Sequence, residues 1–182
     1  IMCGIVGIYL KTKKFEKNLG KMLSGMLNNM ESRGPDSAGF AIYKNEVNKI
    51  YKFSLCINNL NFNIFKKELS KKIKKIKLNQ ISDHVILKTE EKPKKVLEIL
   101  NLNFPEVSIV GYGKSIEIFK QVGNPKDVVK KFKLADFAGT HGIGHTRMAT
   151  ESAITTDGSH PYSTGEDECL VHNGSLSNHN NL

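Results

Sequence analysis

Three features of this chain predict an α+β fold. Strand-type runs occur near its start and just after residue 37, a one-faced helical periodicity lies between them, and helical stripes alternate with short apolar runs in the middle third. The 182 residues, 39% hydrophobic and 25% charged, suit one soluble domain and exclude a fibrous, collagen-like or wholly disordered chain. No stretch approaches the roughly 18 consecutive apolar residues of a membrane span. The apolar start, Ile5 to Leu10, is too short for a signal-peptide core. A cytoplasmic protein without a membrane partner is expected.

Ile5, Val6, Ile8 and Tyr9 are strand-type residues interleaved with glycine, so a buried strand comes first. Phe15, Leu19, Met22, Met26 and Met30 then recur at spacings of three and four, which predicts one apolar helix face ending near Glu31. Arg33-Gly34-Pro35-Asp36-Ser37 reads as a turn and Ala38 to Tyr43 as a second strand. From about 45 to 138 the chain becomes Lys-rich and reads as an α/β insertion. Within it Phe65, Leu69, Ile73 and Ile76 form a helical stripe whose other faces carry lysines, the pattern of a solvated helix. Val107 to Val110 suggests a strand, and Asn124-Pro125 has the cap and first-turn residues of a helix through Val128, Val129 and Phe132. A Gly- and His-rich tail begins at Gly139.

The 27 Lys and Arg against 18 Asp and Glu give a net charge of +9, yet only Arg33 and Arg147 are arginines, so nucleic acid is not an expected partner. Gly111-Tyr112-Gly113-Lys114-Ser115 has the flavour of a phosphate loop between a strand and a helix. Ser108 stands where that loop needs glycine, so a tight strand-to-helix turn is the better expectation. His141 and His145 raise a metal site, but the glycines between them deny the helix that would align two imidazoles. Neither metal nor cofactor is expected.

Cys3, Cys56 and Cys169 are odd in number and widely spaced, which argues against a disulfide framework. Cys3 directly follows Met2, so removal of the initiator would give it a free α-amine. That amine titrates at about 7.7–8.0, near the thiol's roughly 8.5, and can act as the thiol's own base. Arg147 offers a two-pronged contact for a carboxylate, with the Thr150 hydroxyl near it in sequence. Leu170-Val171-His172 reads as a strand running into Asn173-Gly174, where a side-chain amide and an unhindered N–H could converge on an oxyanion; a hairpin turn is the alternative for the same pair.

Met2-Cys3-Gly4-Ile5-Val6-Gly7, Arg33 to Gly39, Gly144-His145-Thr146-Arg147-Met148-Ala149-Thr150, His160-Pro161 and His172-Asn173-Gly174 occur in the order seen in class II glutamine amidotransferases, which this chain resembles over about 2–43 and 139–182. The tail, Thr140 to Gly144 and Gly174 to Asn180, looks most like the stand-alone amidotransferase subunits of glutamate-synthase-type enzymes, N-methylglutamate synthase included. The resemblance implies an N-terminal-nucleophile hydrolase, a four-layer αββα sandwich of antiparallel sheets. It implies a glutaminase domain over 2–182, incomplete at the C-terminus, whose missing part holds the aspartate for the substrate amino group. Cys3 would attack the glutamine amide, Asn173 and Gly174 would hold the oxyanion, and ammonia would pass to a synthase subunit. Arg147 and Thr150 would take the glutamine carboxylate, and His160 with Arg33, Gly34 and Asp36 would shape the pocket. Ile1 is read as an upstream remnant, since removal of the initiator requires Met2 to come first. A catalytically silent subunit of the same fold is the alternative.

Overall fold

The computed structural model describes residues 3–58, 60–149 and 153–174. Its elements are β1 (Gly4–Tyr9), α1 (Leu19–Asn29), β2 (Ser37–Tyr43), β3 (Tyr51–Cys56), α2 (Phe62–Lys72), β4 (Lys77–Ile81), β5 (His84–Thr89), α3 (Pro93–Asn103), β6 (Ser108–Gly113), β7 (Ile116–Val122), α4 (Pro125–Lys131), β8 (His141–Arg147), β9 (Tyr162–Gly165) and β10 (Glu168–Leu170). No described helix is long and apolar enough to cross a membrane.

The first sheet has the order β1-β8-β2-β7, antiparallel throughout. Its alternation sends Ala38, Phe40 and Ile42 of β2 and Phe119 of β7 to one face, where they bury against Leu19, Leu23 and Leu27 of α1 and Val128 and Val129 of α4. The second sheet, β4-β5-β3-β6, arises from the order β3-α2-β4-β5-α3-β6. This is the split βαβ pattern of ferredoxin-like modules. Phe53, Leu55, Val85 and Leu87 on one face pack under Phe65, Leu69, Val96 and Leu100 of α2 and α3. Each antiparallel sheet thus carries a helix pair on one face, the sandwich-like α+β arrangement that the resemblance implies. Within the stretch 45–138, β3 to β6 build the second sheet, whereas β7 pairs with β2 and α4 packs on the first.

The second sheet's free face lies along β7, the edge strand of the first. Ser54 Oγ accepts the Ile118 N–H at 2.8 Å, an edge donor with no strand beside it. Ala41, Cys56, Val110, Ile116 and Ile118 close the apolar seam. The buried Glu117 carboxylate pairs with Lys44 at 2.6 Å and with the equally buried Lys52 at 3.6 Å. Burial pushes the Lys52 ammonium down, and Glu117 works against that shift.

Three local expectations are corrected. Phe15 lies in a 3-10 turn, Lys13–Asn18, and is exposed; the buried face of α1 is Leu19, Leu23 and Leu27, with Met26 and Met30 only flanking it. The segment after Gly113 is strand β7, not a helix. Its turn is closed by Asp167, whose carboxylate accepts the N–H groups of Lys114, Ser115 and Ile116 at 2.7–3.0 Å. Burial would raise that carboxyl, but these donors outweigh it and hold it below the usual range. An acidic side chain of the chain itself thus occupies the place a phosphate would need. The strand expected at Leu170 to His172 ends at Leu170, and 171–173 continue without strand pairing.

Ser54→Ala should cost about 1–3 kcal/mol in urea unfolding, because it leaves the Ile118 N–H buried without an acceptor. Unchanged stability would mean that the β7 edge is satisfied some other way.

Candidate active site

One end of the first sheet gathers the sequence-distant residues. The register aligns Ile5 of β1, His145 of β8, Gly39 of β2 and Lys120 of β7 in one row across the sheet. Alternation puts Arg147 on the same face of β8 as His145, while Gly142, Gly144 and Thr146 point to the helices. Gly4 pairs with Thr146, so Cys3 comes off β1 beside the end of β8, and its Sγ accepts the Met148 N–H at 3.4 Å.

The turn after α1 reaches the same place. A Cβ on Gly34 would lie 2.6 Å from Arg147 N, and Gly34 lets this turn lie directly on the β8 backbone. Asp36 then closes the corner: its N–H donates to Arg147 O at 3.1 Å and its Oδ2 accepts the Ala149 N–H at 2.8 Å. Arg147 is 8% exposed and donates from Nη1 to Ala153 O at 3.3 Å. Arg33 is different. It ends the 3-10 turn Glu31–Arg33 and is exposed.

Above the row lies the segment that carries His160. Its ring stacks on His145 at 4.1 Å and lies 4.4 Å from Tyr162. A Cβ on Gly39 would collide with His160 O, so a side chain there would lift the segment away. Lys120 holds it down: Nζ donates to the carbonyls of Asp157 at 3.0 Å and Ser159 at 2.9 Å and sits 4.9 Å over the Tyr162 ring. Burial pushes this ammonium down to about 8, against the opposing charge of Asp157. His145 Nε2 lies 2.9 Å from His172 O. A carbonyl can only accept, so Nε2 carries the proton and ties the approach to Asn173-Gly174 onto β8. Asn173 and Gly174 are themselves exposed. Burial depresses both imidazoles, His145 to about 4 and His160 to about 3, with Arg147 and Lys120 adding to the effect at His160.

The structure therefore brings Cys3, Gly34, Asp36, Arg147 and His160 to one sheet end, with His172 tying in the approach to Asn173-Gly174, and leaves Arg33 exposed. Thr150, Ile1 and Met2 lie outside the described residues. Sequence reasoning missed Lys120, Tyr162 and the role of His145. A signal existed for the first: in Ile116 to Val122 the two-residue period places Lys120 on the face of Ile116 and Ile118, where a lysine has no apolar reason to be. Chemically, the arrangement offers a thiol, a buried guanidinium and neutral imidazoles beside the exposed Asn173-Gly174 segment.

No family model matches the chain. Along its whole length it is 47% identical to a glutamine amidotransferase-like protein, GlxB, of Rhizobium meliloti (strain 1021), covering 61% of that protein. It is 28% identical over 98% of its length to a putative glutamine amidotransferase of Methanothermobacter thermautotrophicus, covering 63% of it. Over 69 residues, 37% of the chain, it is 41% identical to 12% of a glutamine–fructose-6-phosphate aminotransferase [isomerizing] of Methanococcus maripaludis. The chain thus spans about three fifths of the length of the two relatives it matches end to end.

Both imidazoles titrate lower folded than unfolded, where about 6.5 is usual. Their contribution is present above that pH and is lost as pH falls toward 4 and then 3. Urea unfolding at pH 5 should show a loss on the order of 2 kcal/mol relative to pH 7 from the fully buried His145 alone. His145→Gln should flatten that dependence; an unchanged pH profile would mean that His145 is not held neutral.

Proposed function

The chain resembles class II glutamine amidotransferases, and from that premise we propose that it is their glutamine-hydrolysing domain, releasing ammonia to a synthase partner of the glutamate-synthase type. The observation that supports this most is the meeting of Cys3, the Gly34 to Asp36 turn and Arg147 at one sheet end, from three separate segments of chain.

In this mechanism Cys3 Sγ attacks the side-chain amide carbon of glutamine while the residue's own α-amine, freed by removal of Met2, takes the thiol proton. The Asn173 amide and the Gly174 N–H donate to the oxyanion of the tetrahedral intermediate. Collapse breaks the C–N bond, the ammonium of Cys3 returns its proton to the leaving nitrogen, and ammonia departs. Water then attacks the thioester, giving glutamate and the free thiol. Arg147, with Thr150, takes the glutamine α-carboxylate. Asp36 fixes the Met148–Ala149 backbone beside the sulfur through its bond to Ala149 N. His160 and the Gly34 turn wall the pocket, and Arg33 at its exposed rim has the weakest claim to a role. Within the stretch from about 45 to 138, the β3–β6 module is the inserted part, and its lysine-bearing surface is the one offered to the synthase.

Intact mass of the full-length gene product, before and after a glutamine-like diazoketone, tests the nucleophile. The expected result is a chain beginning at Cys3 with one adduct on that residue and none in Cys3→Ala, which folds but has no glutaminase activity. A retained Met2 with no adduct would replace this reading by the silent-subunit one. Arg147→Lys should raise the glutamine KM by about 10- to 100-fold with less effect on kcat, since a point charge replaces a two-pronged contact worth about 1.5–3 kcal/mol. An unchanged KM would remove Arg147 from carboxylate binding.

A further inference from the structure

Where β3 ends against the β4–β5 turn, a second group of reactive side chains lies outside the cluster at Cys3. Cys56 and His84 are register partners on adjacent strands, and Asp83 precedes His84 in the turn. One donor atom from each of Cys56, Asp83 and His84 lies within 4.8 Å of the others. Asn58 Oδ1 is a fourth donor, 3.1 Å from Cys56 Sγ. Cys56 is 1% exposed and His84 fully buried. His84 Nδ1 faces Asp83 Oδ1 at 2.9 Å, and its Nε2 has no hydrogen-bond partner.

The backbone around the group is set in advance. Ile57 N donates to Asp83 O at 2.9 Å, which locks the turn to the end of β3. The His84 ring is wedged against Phe132 at 4.8 Å and Phe119 at 5.8 Å. Lys131 of α4 holds the other oxygen of Asp83 at 2.9 Å, leaving Oδ1 to face the group. Zinc bonds of about 2.0–2.3 Å to nitrogen, oxygen and sulfur imply edges of about 3.3–3.6 Å between ligands in a tetrahedron. The 2.9 and 3.1 Å separations would spread by a few tenths of an ångström, and the remaining ones among Cys56, Asp83 and His84, up to 4.8 Å, would close toward the same edge.

We propose that Cys56, Asn58, Asp83 and His84 form a binding site for a divalent cation of the zinc class. The donor set selects it: thiolate and imidazole suit zinc and its borderline neighbours, whereas magnesium and calcium take oxygen alone. On binding, the metal–sulfur bond forms as the thiol gives its proton to solvent, the neutral imidazole carries its proton on Nε2 instead of Nδ1, and His84 Nδ1 and Asp83 Oδ1 exchange their mutual hydrogen bond for bonds to the metal. Because Asp83 also holds Lys131, the ion ties the end of the second sheet to the helix that packs on the first.

Full-length protein purified without tag or chelator is titrated with Co2+ while its absorption is followed. A sulfur-to-cobalt charge-transfer band with tetrahedral visible bands, saturating at one ion per chain and erased by Zn2+, is expected. Cys56→Ser should lose the sulfur band, while Cys3→Ser and Cys169→Ser keep it. Asn58→Gly, which removes the amide while keeping the left-handed backbone of this position (φ 43°), should weaken Co2+ binding by about tenfold. No saturable band, or a band that follows Cys3 or Cys169, would overturn the site. Unchanged affinity in Asn58→Gly would overturn the four-donor assignment. None of these readouts uses glutaminase activity, so the result stands apart from that of the proposed reaction.

Discussion

Strand β8 can run between β1 and β2 and still carry the cluster's side chains because its two faces differ so sharply in size. Toward the helices it presents Gly142, Gly144 and Thr146, and the first two leave room for Leu23 and Leu27 of α1 to sit directly on the sheet. Toward the other side it presents His145 and Arg147, both buried. A side chain at Gly144 would push α1 outward and loosen the β1–β8 register that sets Cys3 beside Met148. The packing of one helix thus decides where a sulfur lies on the opposite face.

The second constraint is the treatment of β7. As the edge of the first sheet it offers unpaired backbone donors, and the second sheet covers them with Ser54 rather than with another strand. Glu117, buried between Lys44 and Lys52, fixes how the two sheets meet. A buried ion pair is weak evidence for stability, because desolvation offsets much of the attraction, but misaligned charges here would be heavily penalised. Asp167 adds a third link by closing the β6–β7 turn from the far side of the chain. Lys120 extends the same logic toward the cluster, since its position on β7 determines where the His160 segment rests.

Much of this was legible in the sequence because it is written in local periodicity. The two-residue alternation of β1 and β2, the stripe of Phe65, Leu69 and Ile73, and the Asn124-Pro125 helix start all depend on near neighbours in the chain. Cys3, Arg147 and His160 stood out by residue type and order. Phe15 misled because a spacing of four continues the α1 stripe backward, whereas the chain there tightens into a 3-10 turn that points the ring to solvent. The Gly111 to Ser115 stretch misled because glycines before Lys-Ser serve a hairpin as well as a phosphate loop. Only Asp167, more than fifty residues away, decides between them.

By itself, then, the sequence determined the types of its elements, the order of its motifs and the residue types available for chemistry, since these follow from propensity, period and the identity of side chains. The tertiary structure alone decided that β7 leaves the Lys-rich stretch to join the first sheet, that His145 is held neutral under His160, and that Lys120 clamps the segment above it. It alone set Cys56 and Asn58 against Asp83 and His84. Each of these is a meeting of residues far apart in the chain, and such contacts are selected by burial and by satisfying buried polar groups across the whole fold, which no short window of sequence contains.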